Sequence, residues 1–312
     1  MRYTNHMKKT IIVLSLITCV LGWGKEGSAA PCEALLVSEL PRPLTQDERT
    51  LPEQAQRLIL AYPDQLRSAR QLPNGDVELI WFKGPTSRFK PRQAMVSLEE
   101  WDQATEAQRS QWWGQRDFDT VLNHASLGDQ LLQHYPSKRA LPHDLPVNFE
   151  PGRVRDEDFF KRVYGINKKA VGAQLTSILW GQKRLRVTRL NCIHEKLALI
   201  YRELNDLARS KSPFYSESAG AFVWRMIKGT RRLSVHSFGA AIDVGVKKSN
   251  YWKWTLKAEK LSSTGKIPYR NQIPIEVVSI FERYGFIWGG WWYHHDTMHF
   301  EYRPELLIQV PR

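Results

Sequence analysis

Two short segments hold the side chains best suited to chemistry. The first, "SVHSFGAAID" (residues 234–243), sets His236 ahead of Asp243 with Gly239, Ala240 and Ala241 between them. Alternation in "AIDVGV" puts Ile242, Val244 and Val246 on one face of a strand and leaves Asp243 on the other, beside Ala241 and Gly245, which are too small to fill space. Gly239 suits a sharp passage from loop into strand. A loop histidine is therefore expected to fold over the strand's aspartate, with room cleared between the two.

The second segment is "WGGWWYHHDTMHFEY" (residues 288–302). Met298, Phe300 and Tyr302 alternate inward, which leaves Thr297, His299 and Glu301 on the opposite face. Asp296 has the wrong parity for that face and is expected in the turn leading into the strand, within reach of a bound water. Two histidines and one carboxylate as ligands, with a further carboxylate as base, make up an open catalytic zinc site. Either motif alone is more commonly a satisfied polar residue; their order and their glycine, alanine and tryptophan surroundings carry the weight. His294 and His295 are adjacent and point to opposite sides of an extended chain, so they are expected at the cleft rim or in a structural role.

These side chains need a scaffold. Asp156 is placed to cap a helix over "DEDFFKRVYG" that stops at Gly165. Asn167 caps a second expected helix carrying Val171, Leu175, Ile178 and Leu179. "RLRVTRL" alternates like a strand. Leu197, Ile200, Tyr201, Leu204 and Leu207 give a third helix a core-facing stripe, and Pro274 opens a fourth that ends at Gly285. Earlier, "NGDVELIWF" reads as a turn and strand. "VSLEEWDQATEAQRSQWWGQ" reads as a helix whose tryptophans 101, 112 and 113 are expected to cover the core more than to form a sugar platform. Helices and short strands without regular alternation imply an α+β fold. The prolines of "HYPSKRALPHDLPVNFEPGR" suggest a boundary near residue 150.

With 312 residues and 42% apolar content the chain can bury a real core. "MKK" at Met7–Lys9, the apolar run from Thr10 to Gly22 and "GSAAP" read as a signal peptide cleaved near Ala29 or Ala30. The run is short of the roughly 20 apolar residues a bilayer span needs, so the mature chain is expected to be exported, periplasmic or extracellular, with no membrane span. Lipidation at Cys19 is disfavoured by Thr18 before it. Net charge is +13, and the leader carries little of it. An exported basic protein meets anionic cell-wall polymers and no nucleic acid, although a solvated basic surface accounts for the charge equally well. Of three cysteines, Cys19 leaves with the leader, and Cys32 with Cys192 is the disulfide expected in an oxidising compartment.

In this order and context the motifs resemble those of the zinc peptidase family of D-Ala-D-Ala carboxypeptidases and L-Ala-D-Glu endopeptidases, which includes vancomycin-resistance dipeptidases and several phage endolysins. The family's SxHxxGxAxD is matched by Ser234, His236, Gly239, Ala241 and Asp243, and its second motif by Asp296, His299 and Phe300. "FIWGG" resembles the Trp-Gly-Gly segment of the endopeptidase branch. The likeness covers mainly residues 213–303.

The resemblance implies zinc on His236, Asp243 and His299, with Asp296 as general base. Arg225 is implied as the cation facing the oxyanion, and Ser234, Trp288, Gly289 and Gly290 as lining the substrate side. The implied substrate is the stem peptide of peptidoglycan. An aspartate at the base position and the Trp-Gly-Gly segment favour the L-Ala-D-Glu endopeptidase type; a D-Ala-D-Ala carboxypeptidase is the alternative enzyme. A non-catalytic zinc-containing module that binds cell wall is the alternative from another class, and it would have no need of Asp296. The expected division is a signal peptide over residues 1–29, a region of unassigned role over 30–150, and a zinc peptidase domain over 151–312. That domain is expected to be a small antiparallel sheet with flanking helices around a zinc cleft.

Overall fold

The computed structural model describes residues 32, 36–39, 41–93, 96–137, 139–211, 218–262 and 266–310. The expected signal peptide lies outside the described residues. Residues Cys32–Arg312 form one unit, and its architecture is α+β.

The first part begins with α1 (Gln46–Arg49) and α2 (Glu53–Ala61), separated at Pro52, which has no N–H to continue the ladder. The strands β1 (Leu66–Gln71), β2 (Val77–Trp81) and β3 (Ser87–Phe89) form an antiparallel sheet, and β1 turns into β2 through Asn74 and Gly75. The single helix expected over the tryptophan-rich stretch is two, α3 (Leu98–Gln103) and α4 (Glu106–Trp112). Thr105 explains the break: its side chain caps α4 in a box with Gln108, which requires extended backbone just where the longer helix would continue. Trp101 and Trp113 are buried, and Trp112 stacks on Trp101 at 5.5 Å, so these rings pack the core. Two short helices follow, α5 (Phe118–Asn123) and α6 (Leu127–Gln130).

Helices α7 (Glu157–Tyr164) and α8 (Lys168–Gln174) start at Asp156 and Asn167, whose side chains accept from the N–H groups of Phe159 and Ala170. The second is shorter than its spacing predicts. Leu175, Ile178 and Leu179 belong to β4 (Leu175–Trp180), which pairs with β5 (Lys183–Thr188). Gly181, at φ 59°, closes that hairpin, and the β-branched Thr176 and Ile178 favour the strand over a helix. A disulfide joins Cys32 to Cys192, immediately before α9 (Ile193–Lys211).

The remaining elements are β6 (Ser218–Gly220), β7 (Ala241–Val244), α10 (Trp252–Glu259), α11 (Ile275–Arg283), β8 (Phe286–Trp288) and β9 (His299–Tyr302). The last four strands of the chain make an antiparallel sheet in the order β6-β7-β9-β8. Ile242, Phe300 and Trp288 lie side by side on one face, where Phe281 of α11 stacks on Phe300 at 3.9 Å. The strand β7 ends sooner than expected because Gly245 turns left-handed at φ 60°, so Val246 leaves the sheet. No helix among the described residues is long and apolar enough to cross a membrane.

No break in packing marks residue 150. One hydrophobic core runs from Leu44 to Ile308. Buried hydrogen bonds also cross the position: Tyr62 donates to Glu305 at 2.7 Å, Gln130 to Glu305 at 2.9 Å and Tyr135 to Glu282 at 2.8 Å. The prolines there redirect the chain within that core.

Candidate metal centre

The antiparallel register of β7 and β9 sets Asp243 directly opposite His299. His236 arrives from a turn of 3-10 helix, Val235–Phe238, which Gly239 closes at φ 67°. A Cβ on Gly239 would fall 2.6 Å from Leu175 Cδ2 and 2.9 Å from Thr188 N, so only glycine brings the turn this close to the β4–β5 hairpin.

Three donor atoms converge. His236 Nε2 and His299 Nδ1 each lie 3.1 Å from Asp243 Oδ1 and 3.2 Å from one another. Ligands at the roughly 2.0–2.1 Å typical of zinc define a tetrahedron with edges of about 3.4 Å, so the triangle suits a small divalent cation. It is the one group of three or more candidate ligands among the described residues.

The outer nitrogens of both rings are held. His236 Nδ1 lies 2.6 Å from the Ala221 carbonyl, so it carries the hydrogen and leaves the Nε2 lone pair facing inward. His299 Nε2 lies 3.0 Å from Glu301 Oε2, and Arg303 donates to the other carboxylate oxygen at 3.1 Å. Glu301 thus fixes the tautomer that turns Nδ1 inward.

The electrostatics follow from this packing. Burial works to raise the Asp243 carboxyl, but the charges and hydrogen bonds of the two histidines hold it well below the usual carboxylate range. For Glu301, burial is outweighed by the bond and charge of His299 and by Arg303, and its pKa falls to about 2. Burial likewise disfavours charge on His299, yet Asp243 and Glu301 on either side push its pKa up to about 10. A position that favours positive charge against desolvation also favours a cation.

Asp296 behaves in the opposite sense. Burial and then the Asp243 charge raise its pKa to about 6, although His299, His236 and Arg153 pull it down. It lies in the turn before β9, as its parity requires; its N–H donates to Gly289 O at 3.0 Å and its carbonyl accepts from His299 N–H at 3.1 Å. Its Oδ1 is buried with no hydrogen-bond partner among the described residues.

The other expected site residues are placed as follows. Arg225 is exposed, and its backbone is locked to the histidine turn by Ser237, whose hydroxyl accepts from Arg225 N–H at 2.9 Å. Its charge acts on the phenol of Tyr251, which bridges Asp296 through the backbone. Ser234 is buried at the start of the histidine turn. Trp288 is fully buried, with its indole N–H donated to Thr297 O at 2.8 Å. Gly289 and Gly290 are buried too: a Cβ on Gly289 would meet Asp296 O at 2.7 Å, and one on Gly290 would strike the Trp288 indole at 2.1 Å. These three build the wall that holds the Asp296 turn. His295 is buried, while His294 lies near the surface between Phe118, stacked at 6.3 Å, and Trp252 at 4.6 Å.

Residues far upstream also reach this region. Glu150 accepts from Arg153 Nη1 at 2.9 Å and from the His294 backbone N–H at 3.2 Å, and the His294 ring bonds to the same oxygen. "NFEPGR" carries no spacing that marks these residues; only the proline–glycine pair hints at a special backbone.

Two histidines and a carboxylate around one point, with a bare carboxyl oxygen beside them, have the make-up of a hydrolytic metal centre. Residues 228–302 match the family described as D-alanyl-D-alanine carboxypeptidase, in agreement with the motif resemblance. The match contains the whole donor triangle and Asp296. No curated protein and no solved structure matches the chain.

Proposed function

We propose that the chain is an exported zinc peptidase that hydrolyses the stem peptides of peptidoglycan at the L-Ala-D-Glu bond. The observation that carries this reading is Asp296, a carboxyl with a buried, unbonded oxygen next to a histidine–aspartate–histidine triangle. A structural metal site has no use for such a group, whereas hydrolysis at an open centre needs one.

Zinc on the three donors supplies a Lewis acid that polarises a carbonyl and makes water nucleophilic at neutral pH. Asp296 takes the proton of the attacking water and delivers it to the departing amine. Arg225 faces the charge that develops on the carbonyl oxygen. Ser234 edges the cleft, and Trp288, Gly289 and Gly290 hold the wall that fixes the base. The basic charge that the mature chain keeps favours contact with anionic wall polymers. The description of the matched family supports a second reading, removal of a terminal D-Ala.

The test pairs the wild type with Asp296→Asn, which keeps the shape of the side chain but cannot accept a proton at neutral pH. Zinc content is expected to be unchanged, and hydrolysis of purified stem peptides to fall by about 100-fold or more. Mass analysis of the products identifies the bond: free D-Ala supports the second reading. No cleavage by zinc-loaded wild type would refute both.

A further inference from the structure

The segment Phe149–Arg155 lies outside the matched family region and is built into the metal-binding face of the sheet. Gly152, at φ 92°, packs so closely that a Cβ would fall 2.1 Å from Ile287 Cδ1, and Ile287 pairs with Glu301 on the face that carries the ligands. Only glycine allows that approach. Phe149 O accepts from Tyr293 N–H at 2.8 Å, and Pro151 O from the Trp292 indole at 2.9 Å. Arg303, which bonds Glu301, also donates to Gly152 O, and Arg232 donates to Arg153 O at 3.2 Å.

Arg153 projects from this braced loop. Its side chain is 18% exposed, and Glu150, at 0%, holds it at 2.9 Å. Glu150 in turn is fixed by the backbone and ring of His294, two residues before Asp296. The Arg153 charge acts on both the Asp296 carboxyl and the Tyr251 phenol. One bond to Glu150 leaves the guanidinium with N–H donors for a ligand, in a planar fork suited to a carboxylate.

We infer that Arg153 is the anchor for a substrate carboxylate, the one on the α-carbon of the residue that supplies the departing amine. This rests on the peptidase reading and deepens it. In the L-Ala-D-Glu bond the departing amine belongs to a D-Glu linked onward through its γ-carboxyl, so its α-carboxylate is free. In a terminal D-Ala-D-Ala bond the departing D-Ala likewise carries a free α-carboxylate. Both scissile bonds therefore present an anion in the same place relative to the leaving nitrogen, and one cation tied through Glu150 to the turn that carries His294 and Asp296 serves either.

Equilibrium binding to metal-free protein tests the anchor without turnover. The probes are L-Ala-γ-D-Glu-L-Lys amide against the same peptide with D-isoglutamine, and acetyl-L-Lys-D-Ala-D-Ala against its C-terminal amide. Wild type is expected to bind the carboxylate member of its preferred pair about 10- to 100-fold more tightly, the range for a charge-assisted hydrogen bond. Arg153→Gln is expected to bring that ratio to near unity while the amide binds as before. Because Glu150 is buried, the charge-neutral Glu150→Gln/Arg153→Gln protein is measured beside it and is expected to behave alike. An unchanged ratio in both variants, or equal weakening of both peptides, overturns the anchor and leaves the peptidase reading standing. No binding of either pair by metal-free wild type overturns the anchor, and no cleavage of either pair by zinc-loaded wild type overturns the peptidase reading with it.

Discussion

Glu301→Gln examines how the protein itself prepares His299. Glu301 is buried with His299 Nε2 at 3.0 Å on one oxygen and Arg303 Nη1 at 3.1 Å on the other. Glutamine keeps an acceptor for the ring but removes the charge that makes the imidazole a stronger ligand. Loss of such a supporting contact typically weakens metal affinity 10- to 100-fold, or about 1.4–2.7 kcal/mol. The fold also loses part of a buried ion pair. Arg303 keeps Glu305 at 2.6 Å and the Gly152 carbonyl, so the cost should stay below the roughly 3–5 kcal/mol of a fully broken buried pair.

The two effects separate experimentally. Chelator competition gives the zinc affinity, and denaturant unfolding with and without saturating zinc gives stability. Zinc should stabilise the variant less than the wild type by the same 1.4–2.7 kcal/mol or so, because binding linkage requires it. An affinity unchanged within experimental error, with only the metal-free stability lowered, would reduce Glu301 to a brace for Arg303. At saturating zinc the variant should retain most of its turnover; collapse there would move the base from Asp296 to Glu301.

Replacing Cys32 and Cys192 together by serine should lower the unfolding free energy by about 2–4 kcal/mol, since the bond closes a very long loop; an unchanged denaturation midpoint would show the bridge to be dispensable. His295 is fully buried, and burial lowers its pKa from 6.5 to about 4 against the opposing pull of the Tyr293 backbone. The fold thus prefers the neutral ring, so its contribution is complete above the unfolded pKa and is lost as pH falls from about 6.5 to 4, up to about 3 kcal/mol; His295→Gln should flatten stability over that window, and an identical pH slope would refute the assignment.

The donor set was legible because strand alternation has period two. Asp243 and His299 fall on the open faces of β7 and β9 by parity alone, and Asp296 was forced into the preceding turn for the same reason. Caps at Asp156 and Asn167 were equally local and equally visible. What parity cannot supply is length: the apolar spacing of Val171, Leu175, Ile178 and Leu179 fits a helix, and only pairing with β5 across Gly181 makes the last three a strand. Trp288, Gly289 and Gly290 look in the sequence like substrate contacts. The structure gives them a different physical use, an indole laid against a glycine so that the Asp296 turn can pack behind it.

The upstream residues were illegible for another reason. Glu150 owes its place to contacts with His294, Gly152 to Ile287, and Tyr62 and Gln130 to Glu305, and none of these pairs has a sequence period. Glu305 in turn bonds Arg303, Arg303 bonds Glu301, and Glu301 holds His299. A chain of buried, charge-assisted contacts therefore leads from the C-terminal end of α2 and from α6 to the outer nitrogen of His299, Nε2. Such contacts are strong only while water is excluded and every member is paired. The first part of the chain matters to the site by keeping that series buried, and this contribution requires no motif of its own.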